Sequence, residues 1–394
     1  MSKLITNTIR HTGASSDSLT FNSDGHATVE NNLTVDGTST LTGDVTVTGA
    51  LTASNFSGRN LIINGSMQIN QRGTVTGVTA SSYGGPDRWK AARADAPGVW
   101  QLSQVADGPA GFSHCLEHKV TTANSSLDAG DEACITYSFE GQDLTQVKKG
   151  TASAEQLTLS FWCKSSTTGT YIVEFYDTDN NRQCSKSFTI SAATTWEKKE
   201  LTFPADTTGA FTYDNNESLA VRIWYAAGTT WTSGTLNTTW AASSDANRAV
   251  GCTNLSATLN NYFRLTGVQL EVGDTATAFE YEPMVLTKAK CQRYYFKPAG
   301  DWTFSTSSNG GNDLRNITQG YFPTSMRAAP THSFSDASGN TGKLYYHSTN
   351  VGNGGNYNLS TVYSAYNLDD FYLITSNYNG YDCGRYRESF DAEL

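Results

Sequence analysis

The run His114, Cys115, Leu116, Glu117, His118 is the one stretch whose spacing spells an enzymatic motif, the H-x-x-E-H order of an inverted zinc protease. That chemistry needs both histidines on one helix face, one turn apart, so that a single Zn²⁺ reaches both. The flanks argue for a strand instead: Pro109, Gly111 and Phe112 precede the run, and Val120, Thr121 and Thr122 follow it. On a strand, positions four apart are separated by about 13 Å, too far to share a metal with bonds of about 2 Å. The run therefore reads as a structural strand, and no metal site is expected. Asp177, Asp179, Asn180 and Asn181 carry oxygens suited to Ca²⁺. They lack the spacing of a full calcium loop, and a hairpin tip is the simpler reading.

Carboxylates that cleave polysaccharides work in pairs about 5 to 10 Å apart. Here the acids (Asp177, Asp179, Asp214, Glu217, Glu280, Glu282) are scattered. A phosphate-binding loop and a G-x-S-x-G nucleophile elbow are absent from the sequence. Aromatic side chains remain. A sugar stacks its C–H face on Trp or Tyr while Asn, Asp and Gln serve its hydroxyls. Trp231 and Trp240 bracket a polar run, Thr232 to Thr239, and fit that role; the alternative is that both pack into a core. Near the C-terminal end, Tyr345, Tyr346, Tyr357, Tyr363, Tyr366, Tyr372, Tyr378 and Tyr381 stand among Asn, Ser and Gly. Strand alternation buries about half of such residues. Tyr357, Tyr378 and Tyr381, nearest the turns, are the candidates for exposure.

These residues sit in a chain of 394 residues, long enough for two or three domains. With 20 Tyr, 17 Phe and 8 Trp against only 16% charged residues, the composition favours strands and turns over helices. The net charge of −10 disfavours a nucleic-acid partner, which would require a basic patch. Basic residues gather only in pairs such as Lys148 and Lys149, so an anionic membrane surface is not expected either. The N-terminal residues show no apolar run of signal-peptide length, and no stretch approaches a transmembrane span. Synthesis and assembly in the cytoplasm follow as the expectation. Seven cysteines without a C-x-x-C pair read as free, mostly buried thiols, and no cofactor is expected.

Gly37, Gly43 and Gly49 recur every six residues, each two places after an apolar residue: Val35, Leu41 and Val47. Glycine permits the positive φ of a tight turn. One such hexad cannot bury its own apolar stripe, whereas stacked repeats or further copies can. Residues 28–57 are accordingly predicted to form an intertwined trimeric β stem cored by Val35, Leu41 and Val47; a flexible linker is the alternative. Residues 1–27 hold too few apolar residues for a core. Leu61 to Gly73 suggests a strand, a turn and a second short strand. About nine strands then follow: 99–105, 112–120, 133–139, 156–163, 171–176, 187–190, 196–203, 219–225 and 263–272. That pattern predicts a sandwich, most simply a jelly roll. Residues 284–295 read as a short helical connector, and residues 296–394 as a further β unit with Asn-Gly and Gly-Gly turns.

Several motifs, in order, resemble bacteriophage tail-fibre proteins. They are Thr8 to Gly13, Asn60 to Gly73, Asp87-Arg88-Trp89, Thr266 to Glu280, Cys291 to Tyr295, Phe322 to Pro330 and Phe390 to Leu394. The resemblance covers most of the chain, and none of these motifs is catalytic. It implies a homotrimeric fibre with a virion-attachment segment (1–27), a stem (28–57), a jelly roll like those of carbohydrate-binding modules (58–283) and a distal tip (296–394). It also favours the packing role for Trp231 and Trp240.

The expectation from sequence is thus an all-β, elongated homotrimer in the virion. Its N-terminus would attach to tail, baseplate or adaptor proteins, and it would bind a host surface glycan without catalysis. The alternatives are a tailspike depolymerase and a non-viral carbohydrate-binding module. Trp231, Trp240, Tyr357, Tyr378 and Tyr381 are the candidate receptor contacts.

Overall fold

Strand alternation builds the centre of the molecule. Leu157, Leu159, Phe161 and Cys163 fall on one face of their strand, and Tyr171, Val173 and Phe175 on one face of the next; all are buried. The computed structural model describes three short strands within residues 1–28, residues 58–299 apart from Ala96, and residues 302–305, 316–335, 343–348, 355–358, 361–366, 368–376 and 382–394. The chain divides into two compact units, Met1–Ser54 and Asn55–Leu394. In the first, β1 (Thr8–Ile9), β2 (Leu19–Phe21) and β3 (Ala27–Thr28) form an antiparallel sheet. The stem residues Val35, Leu41 and Val47 lie outside the described residues.

The second unit opens with β4 (Val75–Val78), β5 (Ser82–Tyr83), β6 (Lys90–Ala94), β7 (Val99–Val105), β8 (Cys115–Thr122), β9 (Glu132–Glu140), β10 (Leu157–Ser165) and β11 (Gly169–Asp177). There follow β12 (Arg182–Ile190), β13 (Glu197–Phe203), β14 (Glu217–Ala227), β15 (Ala241–Ala242) and β16 (Tyr262–Val272). They make two antiparallel sheets, ordered β13-β10-β16-β8-β7-β4 and β15-β12-β11-β14-β9-β6-β5. The central eight strands, numbered one to eight along the chain and omitting β15, lie as 1-8-3-6 in one sheet and 2-7-4-5 in the other. That interleaving is the jelly-roll winding. Between the sheets, Phe175 of β11 stacks on Phe203 of β13 at 3.7 Å between ring centroids. Trp100, Phe161, Tyr225 and Phe263 complete this core.

Leu61 to Gly73 departs from the expected pair of strands: the segment is turn and coil. Its polar backbone is satisfied from elsewhere, Leu61 N–H by the Leu270 carbonyl at 2.9 Å and the Gly65 carbonyl by Val268 N–H at 3.0 Å. Asn64, at φ 60°, fastens the turn by bonding Ile69 through both its amide groups. A Cβ on Gly65 would lie 2.1 Å from the Val268 oxygen, so the close approach needs glycine.

Helix α1 (Met284–Gln292) leads to β17 (Tyr295–Phe296) and β18 (Trp302–Ser305), then β19 (Asn316–Tyr321), β20 (Thr331–Ser335), β21 (Lys343–Ser348), β22 (Gly355–Asn358), β23 (Thr361–Tyr366), β24 (Asp370–Ser376) and β25 (Asp382–Asp391). The long β25 pairs with β17, β18, β20 and β21, while β19, β24 and β23 form a separate sheet. Phe322, Met326, Phe390 and Ala392 form a small core of their own.

Candidate functional site

The outer face of the seven-stranded sheet carries a cluster of polar and charged side chains. Cross-strand register places Lys90, Thr136, Arg222, Glu174 and Ser185 in one row over β6, β9, β14, β11 and β12. The neighbouring rows run Ala92, Cys134, Trp224, Ile172, Ser187 and Ser138, Ala220, Tyr176, Gln183. Residues 228–252 roof one end of this face. There Cys134, Ile172, Trp224 and Ala249 form a second buried cluster, with Trp231 packed on it.

Glu174 is fully buried, and both its oxygens are taken. Arg248 donates from Nε to Oε1 at 2.7 Å and from Nη2 to Oε2 at 3.2 Å, while Trp224 Nε1 donates to Oε2 at 2.9 Å. Burial works against the Arg248 charge, but Glu174 holds its pKa above the ordinary arginine value. The guanidinium of Arg248 lies 4.9 Å from the Tyr176 ring centre and 5.1 Å from that of Trp231.

Arg222 is different. Its guanidinium stands 5.1 Å from the Tyr176 ring centre and only grazes Glu174, at 4.0 Å. It makes no hydrogen bond to any described residue, and its Nε is buried without a partner. Nearby, half-buried Glu132 forms no ion pair with the described residues. Burial raises its pKa, and Arg222 and Arg248 pull it back only partly. The face thus presents a guanidinium fork with unused donors beside a half-buried tyrosine, an arrangement suited to a carboxylate, sulfate or phosphate carried on a ring.

The sequence candidates fall in different places. Trp231 is half-buried, its Nε1 donating to the Gly130 carbonyl at 3.2 Å and its ring 5.6 Å from that of Trp224. Trp240 packs against the main core, with Nε1 on the Pro204 carbonyl at 2.9 Å and Lys149 Nζ 5.1 Å from its ring centre. The two tryptophans serve separate clusters. Tyr357 belongs to β22; Tyr378 and Tyr381 lie outside the described residues. His118 is on strand β8 and inside the core, its Nδ1 2.9 Å from Tyr225 Oη, while His114 contacts Ser113 Oγ at 2.8 Å.

The Asp177 hairpin holds an ammonium group. Lys149 Nζ lies 2.5 Å from Asp177 Oδ2, 3.0 Å from Asp206 Oδ2, 3.0 Å from the Thr208 carbonyl and 2.7 Å from the Gly209 carbonyl. No cluster of three or more His, Cys, Asp or Glu suited to a metal occurs among the described residues.

No family model and no curated protein matches the chain. Solved structures do. The enzymatically active domain of bacteriophage CBA120 tailspike protein 4 aligns at 15% identity over 54% of this chain and 21% of that one, with TM-score 0.31. TmCBM61 in complex with beta-1,4-galactotriose aligns at 10% identity over 55% and 99%, with TM-score 0.27. A family 11 carbohydrate-binding module from Clostridium thermocellum, in complex with a mixed-linked tetrasaccharide, aligns at 13% identity over 52% and 99%, with TM-score 0.26. Scores of this size leave the fold assignment to the strand order described above.

The motifs at residues 60–73, 87–89, 291–295, 322–330 and 390–394 converge in space. Asp87 accepts from Gln71 Nε2 at 2.6 Å, and the same amide donates to the Tyr295 carbonyl at 2.8 Å. Arg72 pairs with Asp391 at 2.7 Å and lies 3.7 Å from the Tyr295 ring centre. Arg327 Nε donates to the Ala392 carbonyl at 2.7 Å. These segments join the jelly roll to the C-terminal β region, a mechanical role.

Sequence reasoning passed over Arg222 and Glu174. A signal existed: each is a lone charge between apolar neighbours, Ile172 to Phe175 and Ala220 to Trp224, and the two charges are opposite. Opposite charges in register on adjacent strands are a cross-strand pair.

Proposed function

We propose that this chain is a phage tail-fibre protein that binds an acidic host-surface glycan without cleaving it. In this reading the N-terminal residues attach to tail, baseplate or adaptor proteins, residues 28–57 bring three copies together, and residues 296–394 form the outermost tip. The protein resides in the virion after assembly in the host cytoplasm.

The observation that carries the glycan assignment is the Arg222 guanidinium beside Tyr176, in only long contact with Glu174 and without a hydrogen bond to the described residues. A fork with free donors suits the carboxylate of a uronic acid or a sugar phosphate, and the aromatic edge suits the ring. Against catalysis stands Glu174: Arg248 and Trp224 occupy both its oxygens. Glu132 remains alone, whereas sugar hydrolysis takes two working carboxyls. One weak site per chain becomes firm attachment when three act together.

The test is adsorption of purified fibre to host cells. Arg222→Ala, with its thermal midpoint unchanged, is expected to lose binding to acidic surface polysaccharide at least tenfold. Exchange of residues 296–394 with those of a related fibre reports on the tip separately; host range following the exchange assigns recognition there. Full adsorption by Arg222→Ala removes the sheet face as a site. Release of short fragments from host polysaccharide overturns the non-catalytic reading in favour of a depolymerase.

A further inference from the structure

Among the described residues eight large apolar side chains are exposed, and four of them fall within six positions: Tyr281 (59%), Met284 (56%), Val285 (72%) and Leu286 (51%). The last three make the first turn of α1, whose other side is buried through Thr287, Cys291 and Gln292. A contiguous apolar turn facing water is a contact surface in search of a partner. Charge is muted beside it, since Glu282 is already neutralised by Lys290 at 2.5 Å.

The path of the chain names the partner. A cavity of about 310 Å³ adjoins the patch, and its lining includes Gly58, Asn60, Glu280, Tyr281 and Leu286. Glu280 holds this corner by accepting from Gly58 N–H at 2.5 Å and Asn60 N–H at 2.9 Å. Gly58 and Asn60, at the start of the jelly-roll region, therefore lie beside the exposed turn. The last predicted stem contact, Val47, precedes Gly58 by eleven residues, a reach of no more than about 36–40 Å fully extended. In the trimer proposed above, this tether bounds how far each Tyr281–Leu286 turn can stand from the stem.

We propose that Tyr281, Met284, Val285 and Leu286 form the surface through which the jelly rolls of neighbouring copies touch. The proposal rests on the trimer reading above, and the experiment separates the two. Full-length Val285→Cys is treated with a short bismaleimide, with Leu259→Cys, exposed elsewhere on the sandwich, as control; light scattering gives the mass of each. Covalent dimers and trimers from position 285 and none from position 259 are expected. Val285→Asp with Leu286→Asp should lower the thermal midpoint of the assembly, and Leu259→Asp should not. A trimer that neither cross-links at 285 nor responds to the aspartates overturns the contact while leaving the trimer standing. A monomeric wild type overturns the trimer itself. Protection of Val285→Cys from maleimide by host oligosaccharide reassigns the patch to ligand and also overturns the contact.

Discussion

Arg88 and Glu393, 305 residues apart in sequence, form an ion pair from which water is almost wholly excluded, with side chains 1% and 3% exposed. The guanidinium also donates to the Ser138 carbonyl at 2.7 Å and lies 3.3 Å from the Tyr294 ring centre. The pair ties the jelly roll to the last residues of the chain. Removing one partner strands a buried charge, at a cost of about 3–5 kcal/mol. Glu393→Gln is expected to lose about that much in denaturant unfolding. Arg88→Met combined with Glu393→Leu removes both charges of this pair, leaves Arg72 held by Asp391, and should be more stable than either single variant.

The Lys149 cage should accept a metal once its ammonium is gone. Two carboxylates and two carbonyls already surround the site, and Ca²⁺ takes oxygens of this kind, completing its shell with water. Lys149→Ala is expected to unfold at lower temperature than wild type and to regain several degrees with millimolar Ca²⁺, while wild type ignores the ion. Equal responses would show that the cage collapses when emptied.

His118 should imprint a pH dependence on stability. Burial, and then the charge of Arg93, lower its pKa from 6.5 to about 3. The unfolded chain therefore takes up a proton below pH 6.5 that the folded chain refuses until about pH 3. The stabilisation is complete above pH 6.5 and falls through that window by up to about 1.4 kcal/mol per pH unit. His118→Asn keeps a polar group near Tyr225 and should flatten the slope, measured as denaturant midpoint against pH. An unchanged slope would assign it to carboxylates.

The proposed stem makes its own prediction. If residues 28–57 form a trimeric stem, an aspartate at Val35, Leu41 or Val47 gathers three like charges in an apolar interior, each costing several kcal/mol. Loss of trimer or of heat resistance is expected, with Thr46→Asp better tolerated. Equal tolerance at both kinds of position would make the segment a linker.

What the sequence revealed, and what it hid, follows from range. Period-two alternation placed strands such as Leu157–Ser165 and Glu217–Ala227 almost to the residue, because one buried face needs only local pattern. The His114 to His118 run was resolved by its flanks in the same way. Leu61 to Gly73 misled because its apolar residues suit a strand, while its hydrogen-bond partners at Val268 and Leu270 lie some 200 positions away. Lys149 read as half of a surface lysine pair; only folding brings Asp177 and Asp206 to it. Arg222 and Glu174 escaped notice as lone charges on half-buried strands, and the roof of residues 228–252, whose Arg248 holds the buried Glu174, carries no local signature.

The corner at Glu280 has a further consequence. Its carboxylate grips Gly58 and Asn60, so the polypeptide enters and leaves the jelly roll at nearly the same point. A body whose two ends meet can be exchanged between residues 60 and 280 without moving the points where the chain enters and leaves it. The jelly roll is thereby a cassette: an exchange for another of the same winding keeps the joint to the last residues of the chain where the incoming module brings counterparts of Arg72 and Arg88.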